Sequence, residues 1–209
     1  MLKKVLIGLA VVVVAFLGFV LMQPSTFKVE RTATIHAPRA VVFDLVNTMQ
    51  KRAAWYPWDR LDPTMQRTYD GPASGKGAHY AWKGNDKVGT GEQTILESVE
   101  NEKIVDSLHF IEPFEDTNTA YFTFADDGAN TKVTWGLEGG GGFSTKLMNA
   151  FMDMDAALGK DFEDGLKNLD EVAKKAVEEQ KAAVVDEPKA EEGGDAKAEV
   201  VAEEKPTAE

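Results

Sequence analysis

GGGGFSTKLMNAFMDMDAALGKDFEDGLKNL, residues 139–169, is where the pattern of this 209-residue chain turns over from strand to helix. Leu147, Phe151, Met154, Leu158, Phe162, Leu166 and Leu169 recur at steps of three and four, which places them along one face of a long amphipathic helix. That helix is expected to begin after the glycines, reach at least Leu169 and run on through the charged segment 171–182. Upstream the apolar residues alternate instead, and strands are read near 65–70, 77–83, 88–98, 103–112, 118–125 and 131–138. Turn residues separate them: Gly71-Pro72, Gly84-Asn85-Asp86, Glu100-Asn101-Glu102 and Asp126-Asp127-Gly128. Strands joined this tightly form an antiparallel meander. Further upstream, Phe27 to Ile35 alternates as one more half-buried strand. Ala37-Pro38 then opens a short helix with Val41, Val42, Leu45 and Val46 on its apolar side. A second helical piece covers Thr48 to Ala54, ahead of Trp55-Tyr56-Pro57-Trp58.

The order of strand, two short helices, six strands and long helix predicts an α+β fold. A twisted antiparallel sheet wraps around a long C-terminal helix and leaves a cavity between the two. Alternation assigns the inward positions: Tyr80 and Trp82; Leu108 and Phe110; Phe122 and Phe124; Val133, Trp135 and Leu137. Met148 and Met152 flank the helical stripe on the cavity side.

The two ends read differently from this middle, and the division is residues 1–24, 25–175 and 176–209. Val5 to Met22 is apolar and free of charge, and its 18 residues span roughly 27 Å as a helix, close to the hydrocarbon thickness of a bilayer. Lys3 and Lys4 precede it, so the positive-inside rule keeps the N-terminus cytoplasmic and places the domain across the membrane, in the periplasm of a Gram-negative cell. A cleaved signal peptide is the competing reading, but Val20-Leu21-Met22-Gln23-Pro24-Ser25 puts bulky residues where a cleavage site wants small ones. A buried soluble helix fits worse, since Val11 to Val14 leave no polar face. From Asp186 the composition collapses to a few residue types, with nine acids against three lysines and no aromatics, a composition that stays disordered. That tail carries half of the chain's net charge of −12. It is a solubilising extension or an interaction tail for a protein partner.

The acidic balance argues against a nucleic-acid surface. The absence of cysteine excludes disulfides, thiol catalysis, Cys-ligated zinc and an N-terminal lipidated cysteine.

Four stretches carry a resemblance: HAPRAVVFDLVNTMQKRAAWYPW (36–58), LDPTMQRTYDGPASGKGAHYAWKGNDKVGTGEQTILESV (61–99), HFIEPFEDTNTAYFTFADDGANTKVTW (109–135) and KLMNAFMDMDAALGKDFEDGLKNL (146–169). Together with the element order, they resemble the START-like superfamily, also called SRPBCC, in its polyketide cyclase-like branch. The resemblance covers residues 27–170 and implies a helix-grip fold around a hydrophobic cavity. Superfamily members bind lipids, sterols, polyketides or hormones, and some cyclise or hydrolyse what they bind. It implies no cofactor and carries over no agreed catalytic residue.

The three histidines, His36, His79 and His109, stand alone without ligand-like spacing, and His79 and His109 fall on the outward strand phase, so no metal site is expected. Asp106 shares the inward phase of Ile104, Leu108 and Phe110. It is either a desolvated acid with a raised pKa, able to act as general acid or base, or a strand-end residue near the cavity mouth that reaches water. The glycines of 139–142 lack the Gly-Lys-Ser/Thr ending of a phosphate loop and read as a hinge. The acids Asp153, Asp155, Asp161, Glu163 and Asp164 read as a solvated helix face.

Candidate cavity residues are Trp55, Trp58, Tyr80, Trp82, Asp106, Leu108, Phe110, Phe122, Trp135, Met148 and Met152, with Tyr56 as a further aromatic that either lines a pocket or packs the core. Three functions stay open: a membrane-anchored domain binding a small hydrophobic or lipid-like ligand; a cyclase or hydrolase using Asp106 in the same cavity; and an interaction domain whose cavity is filled.

Overall fold

The computed structural model describes residues 1–113 and 115–186; the acidic tail from residue 187 onward lies outside the described residues. Helix α1 covers Leu2–Met22. Strand β1 (Thr26–Ile35) leads to α2 (Arg39–Asn47), α3 (Met49–Arg52) and a 3₁₀ turn at Pro57–Arg60. The strands β2 (Gln66–Asp70), β3 (His79–Lys83), β4 (Thr90–Val99), β5 (Lys103–Glu112), β6 (Asp116–Asp127) and β7 (Asn130–Gly140) follow, then α4 (Phe143–Phe151) and α5 (Met154–Asp186). The seven strands form one antiparallel sheet in the order β1-β7-β6-β5-β4-β3-β2. This is the expected α+β helix-grip architecture.

β1 is detached from the meander in sequence but closes it in space. It pairs along its whole length with β7, from Thr26 opposite Gly140 to Ile35 opposite Thr131. The sheet curls around α5, whose Phe162, Leu166, Leu169 and Ala173 are buried against it. Trp135 is the centre of that contact. Its ring stacks flat on Phe162 at 4.2 Å and is ringed by Tyr56, Trp55, Trp58 and Phe122. The mobile-looking glycine run is in fact tied down, because the Gly141 N–H donates to the Ser25 carbonyl at 2.8 Å.

The predicted single long helix is two. Met152 is extended and closes α4 through its N–H to the Met148 carbonyl at 2.8 Å. The Asp153 carboxylate then accepts the N–H groups of Asp155 and Ala156 at 3.0 and 3.2 Å. An aspartate in this position satisfies amides that a starting helix leaves unpaired, so Asp153 begins α5. Three other helix acids do more than face water, Asp161 by accepting the Trp58 indole N–H at 3.2 Å and Asp155 and Glu163 through an arginine. Arg31 on β1 reaches across to Asp155 with both terminal nitrogens (2.7 and 2.9 Å) and to Glu163 with Nε (2.9 Å). The guanidinium lies over Gly159, where an added Cβ would be 1.9 Å from Arg31 Nη2.

The two helix glycines therefore differ. A Cβ at Gly165 would sit 2.6 Å from the Trp135 ring, which the surrounding aromatics hold in place. We expect Gly165→Ala to destabilise by about 1–3 kcal/mol through overpacking. Gly159→Ala gains the better helix former but displaces the Arg31 guanidinium from Asp155 and Glu163. A flexible side chain can give way where the Trp135 ring cannot, so the loss in thermal midpoint should be smaller than for Gly165→Ala. Thermal unfolding of the two variants checks this contrast.

Candidate functional site

Between the sheet and α5 lies a cavity of about 370 Å³. Strand register gives its depth. Phe110 pairs opposite Asp116, Leu108 opposite Asn118 and Asp106 opposite Ala120, one step further along the same face each time. Phe110, Leu108, Asn118, Ala120, Leu137 and Trp135 line the cavity, whereas Asp106, Phe122 and Val133, the next positions inward, lie beneath it. The exposed Glu112 and Pro113 lie at the opposite end, with Lys87 from the turn before β4 and Phe27 from the start of β1. That end of the sheet is the mouth; the other end is the floor.

The floor is built around a charge pair. Arg52 is the last residue of α3, and its side chain is 3% exposed; Asp106 is fully buried. Arg52 donates from Nη1 to Asp106 Oδ2 at 2.7 Å and from Nη2 to Oδ1 at 3.3 Å, and its Nε donates to the Val46 carbonyl at 2.7 Å. Gln93 adds a third donor to the carboxylate, Nε2 to Oδ2 at 3.0 Å. Only donors face Asp106, which makes it a carboxylate. Burial pushes its pKa above the ordinary value, and Arg52 and Gln93 oppose that shift. Burial also works against the Arg52 charge, but Asp106 and Tyr56 outweigh it and hold the guanidinium protonated.

The pair meets the cavity through two neutral groups. Gln93 and Tyr56 both line it, and the Tyr56 hydroxyl oxygen accepts from Arg52 at 3.1 Å and from Gln93 at 3.4 Å. Burial raises the Tyr56 pKa, with Arg52 opposing, so the phenol keeps its proton. No acceptor among the described residues takes that proton, leaving an O–H free to donate at the floor of a mostly apolar chamber. The chamber wall also carries the buried Asn118, its Oδ1 without a partner among the described residues.

Of the sequence candidates, Trp58, Tyr80, Trp82, Leu108, Phe110, Trp135 and Met148 line the cavity. Trp55 and Phe122 do not; they are fully buried behind it, and Trp55 donates its indole N–H to the Leu45 carbonyl at 3.2 Å. Met152 is 50% exposed at the break between α4 and α5 and points away from the chamber, because the helical phase that would have carried it inward ends at Phe151. Asp106 is neither a free acid in the cavity nor a mouth residue in water; it sits in mid-strand, enclosed by its partners. Tyr56, Gln93 and Arg52 are the residues that sequence reasoning undervalued. An inward acid such as Asp106 was the available signal, since a buried carboxylate demands a nearby cation.

The histidines make lateral contacts outside the cavity: His36 with Asp170, His79 with Thr94 and His109 with Glu92. Among the described residues no group of three or more His, Asp or Glu side chains is arranged to hold a metal ion.

Removing one member of the buried pair leaves the other charge uncompensated. Asp106→Ala should cost about 3–5 kcal/mol, whereas the double change Arg52→Met with Asp106→Leu should recover most of it. Chemical denaturation of the single and double variants measures both.

Residues 26–174 match the family described as polyketide cyclase / dehydrase and lipid transport. Solved structures share the fold at low identity. Ginseng major latex-like protein 151 from Panax ginseng is 13% identical with a TM-score of 0.52, the likeness covering 72% of this chain and 99% of that one. Protein CV1439 from Chromobacterium violaceum is 15% identical with a TM-score of 0.51, covering 72% and 97%. The Aha1 protein from Colwellia psychrerythraea is 11% identical with a TM-score of 0.50, covering 70% and 96%. No curated protein matches the sequence. With its helix-grip sheet, central helix and enclosed cavity, the chain belongs to the polyketide cyclase/dehydrase and lipid transport family of the START-like (SRPBCC) superfamily.

Proposed function

We propose that this protein is a membrane-anchored binding domain for one small hydrophobic or amphipathic molecule, held in the cavity with its apolar body against the aromatic walls and a polar oxygen at the floor. The observation that carries this reading is the cavity itself. Its volume falls within the range of ligand pockets, its walls are mostly rings and aliphatic chains with Asn118 among them, and Tyr56 and Gln93 converge at the floor. The Tyr56 hydroxyl supplies a donor for a carboxyl, carbonyl or hydroxyl oxygen, and the Gln93 amide lies beside it. A binding role fits better than a cyclase or hydrolase, because the carboxylate that would act as acid or base is enclosed by Arg52 and Gln93 and separated from the chamber by them. An interaction domain would fill this space with side chains.

Helix α1 is long and apolar enough to cross a membrane. Its end is bound to the domain: Val20 is fully buried, Lys146 donates to the Leu21 carbonyl at 2.7 Å, and just past the helix Asn149 donates to the Pro24 carbonyl at 3.0 Å. These contacts support a retained anchor over a cleaved leader, and the positive-inside tendency, acting through Lys3 and Lys4, favours a cytoplasmic N-terminus with the domain outside.

Titrating a solvatochromic single-chain fatty acid into the 25–186 fragment tests the binding reading. Saturable one-to-one binding with a blue shift is expected. Ala120→Trp, which puts a ring into the chamber from the middle of β6, should weaken it by at least about tenfold. Binding that never saturates, or that the filled variant retains, would count against a cavity ligand.

A further inference from the structure

Helix α4 carries an apolar stripe whose two ends stay exposed and whose middle residue, Leu147, is half-buried. Phe143, Leu147 and Phe151 recur at every fourth position, and Phe143 and Phe151 are 50% and 74% exposed. On the next face round the same helix, Met148 lines the cavity. Helix α4 is also the part of the domain that touches α1. Phe151 meets the Phe16 ring at 5.8 Å between centroids, and Lys146 Nζ donates to the Leu21 carbonyl at 2.7 Å. Phe16 lies six residues before the end of α1, about 9 Å down the helix axis. If α1 spans a bilayer from Val5 to Met22, whatever packs against Phe16 is already below the membrane surface. That depth agrees with an amphipathic helix lying in the interface, which sinks its apolar face roughly 5–10 Å.

The mouth faces the same way. Phe27 of β1 and Met148 and Met154 of the helices line it, and β1 starts there with only three residues between it and the end of α1. Lys146, bound to the last turn of α1, stands where a lysine reaches up to headgroups.

Resting on the membrane-anchored reading above, we propose that α4 is seated in the outer interface of the bilayer that α1 crosses, with Phe143, Leu147 and Phe151 among the lipid chains, so that the cavity mouth opens onto lipid instead of water. The occupant of this apolar face is the bilayer itself. Apolar burial and the tether hold it there; with a net charge of −12 the chain has no general attraction to anionic lipid. A ligand then passes between membrane and chamber beside Met148 without crossing bulk water.

The absence of native cysteine makes the test direct. Single cysteines at Phe151, Phe143, Val13 and Leu96 in the full chain are labelled with an environment-sensitive fluorophore and reconstituted into phosphatidylcholine vesicles. Quenching is then compared between nitroxide lipids and aqueous iodide. Leu96, exposed on β4, reports water, and Val13 reports the middle of α1. The expected result is Val13 quenched by deep nitroxides, and Phe151 and Phe143 quenched by shallow ones with several-fold less iodide quenching than Leu96. Val13 deep but both phenylalanine sites as open to iodide as Leu96 overturns the seating of α4 and leaves the anchor standing. Val13 open to iodide overturns the anchor and the seating together.

Discussion

Everything about this molecule depends on where the long helix touches its sheet and where it stands away. The contact is the flat stack of Phe162 on Trp135, 4.2 Å between centroids and only 2° from parallel, with Gly165 on the next turn lacking the Cβ that would push the ring aside. Tyr56, Trp58 and Phe122 close around the same indole, so the deep half of the interface is solid aromatic packing. Toward the other end the helix is held at the β1 edge by Arg31, whose fork reaches Asp155 and Glu163. One side is clamped and one end is stacked, and the space left between them is the cavity.

That space is made directional by the Arg52–Asp106 pair below it. A buried ion pair is a weak source of stability. Its consequence here is orientation: it fixes the Gln93 amide and the Tyr56 hydroxyl, and through them sets a polar pole on an apolar chamber. A ligand with one hydrogen-bond-accepting oxygen and an apolar body is favoured with that oxygen at the Tyr56 hydroxyl. Its apolar end then points to the mouth, the end where α1 and α4 meet.

Most of the fold was legible because burial imposes period: β1 to β7 alternate and α5 repeats at 3.6 residues wherever one face meets the core. The break between α4 and α5 was hidden for the same reason. Leu147, Phe151, Met154 and Leu158 keep helical spacing straight across it, while the interruption is made by one local feature, the Asp153 side chain capping its own downstream amides. Met152 was misplaced as a result. In the site, the inward phases of Tyr80, Trp82, Leu108, Phe110 and Trp135 were readable from their strands. Arg52 was not, because a cation at the end of a short helix reads as a solvent residue until the fold brings it to Asp106, 54 positions away. The clamp of Arg31 on two helix acids is a long-range pairing of the same kind, invisible to any local pattern.

We propose a chamber that holds one small apolar or amphipathic molecule supplied by a membrane. Native mass spectrometry of the full chain released from membranes in mild detergent tests it most directly. One retained molecule per chain, with an apolar body and an oxygen-bearing end, is the expected result. A bare chain that also takes up nothing from a panel of lipids and polyketides would contradict it.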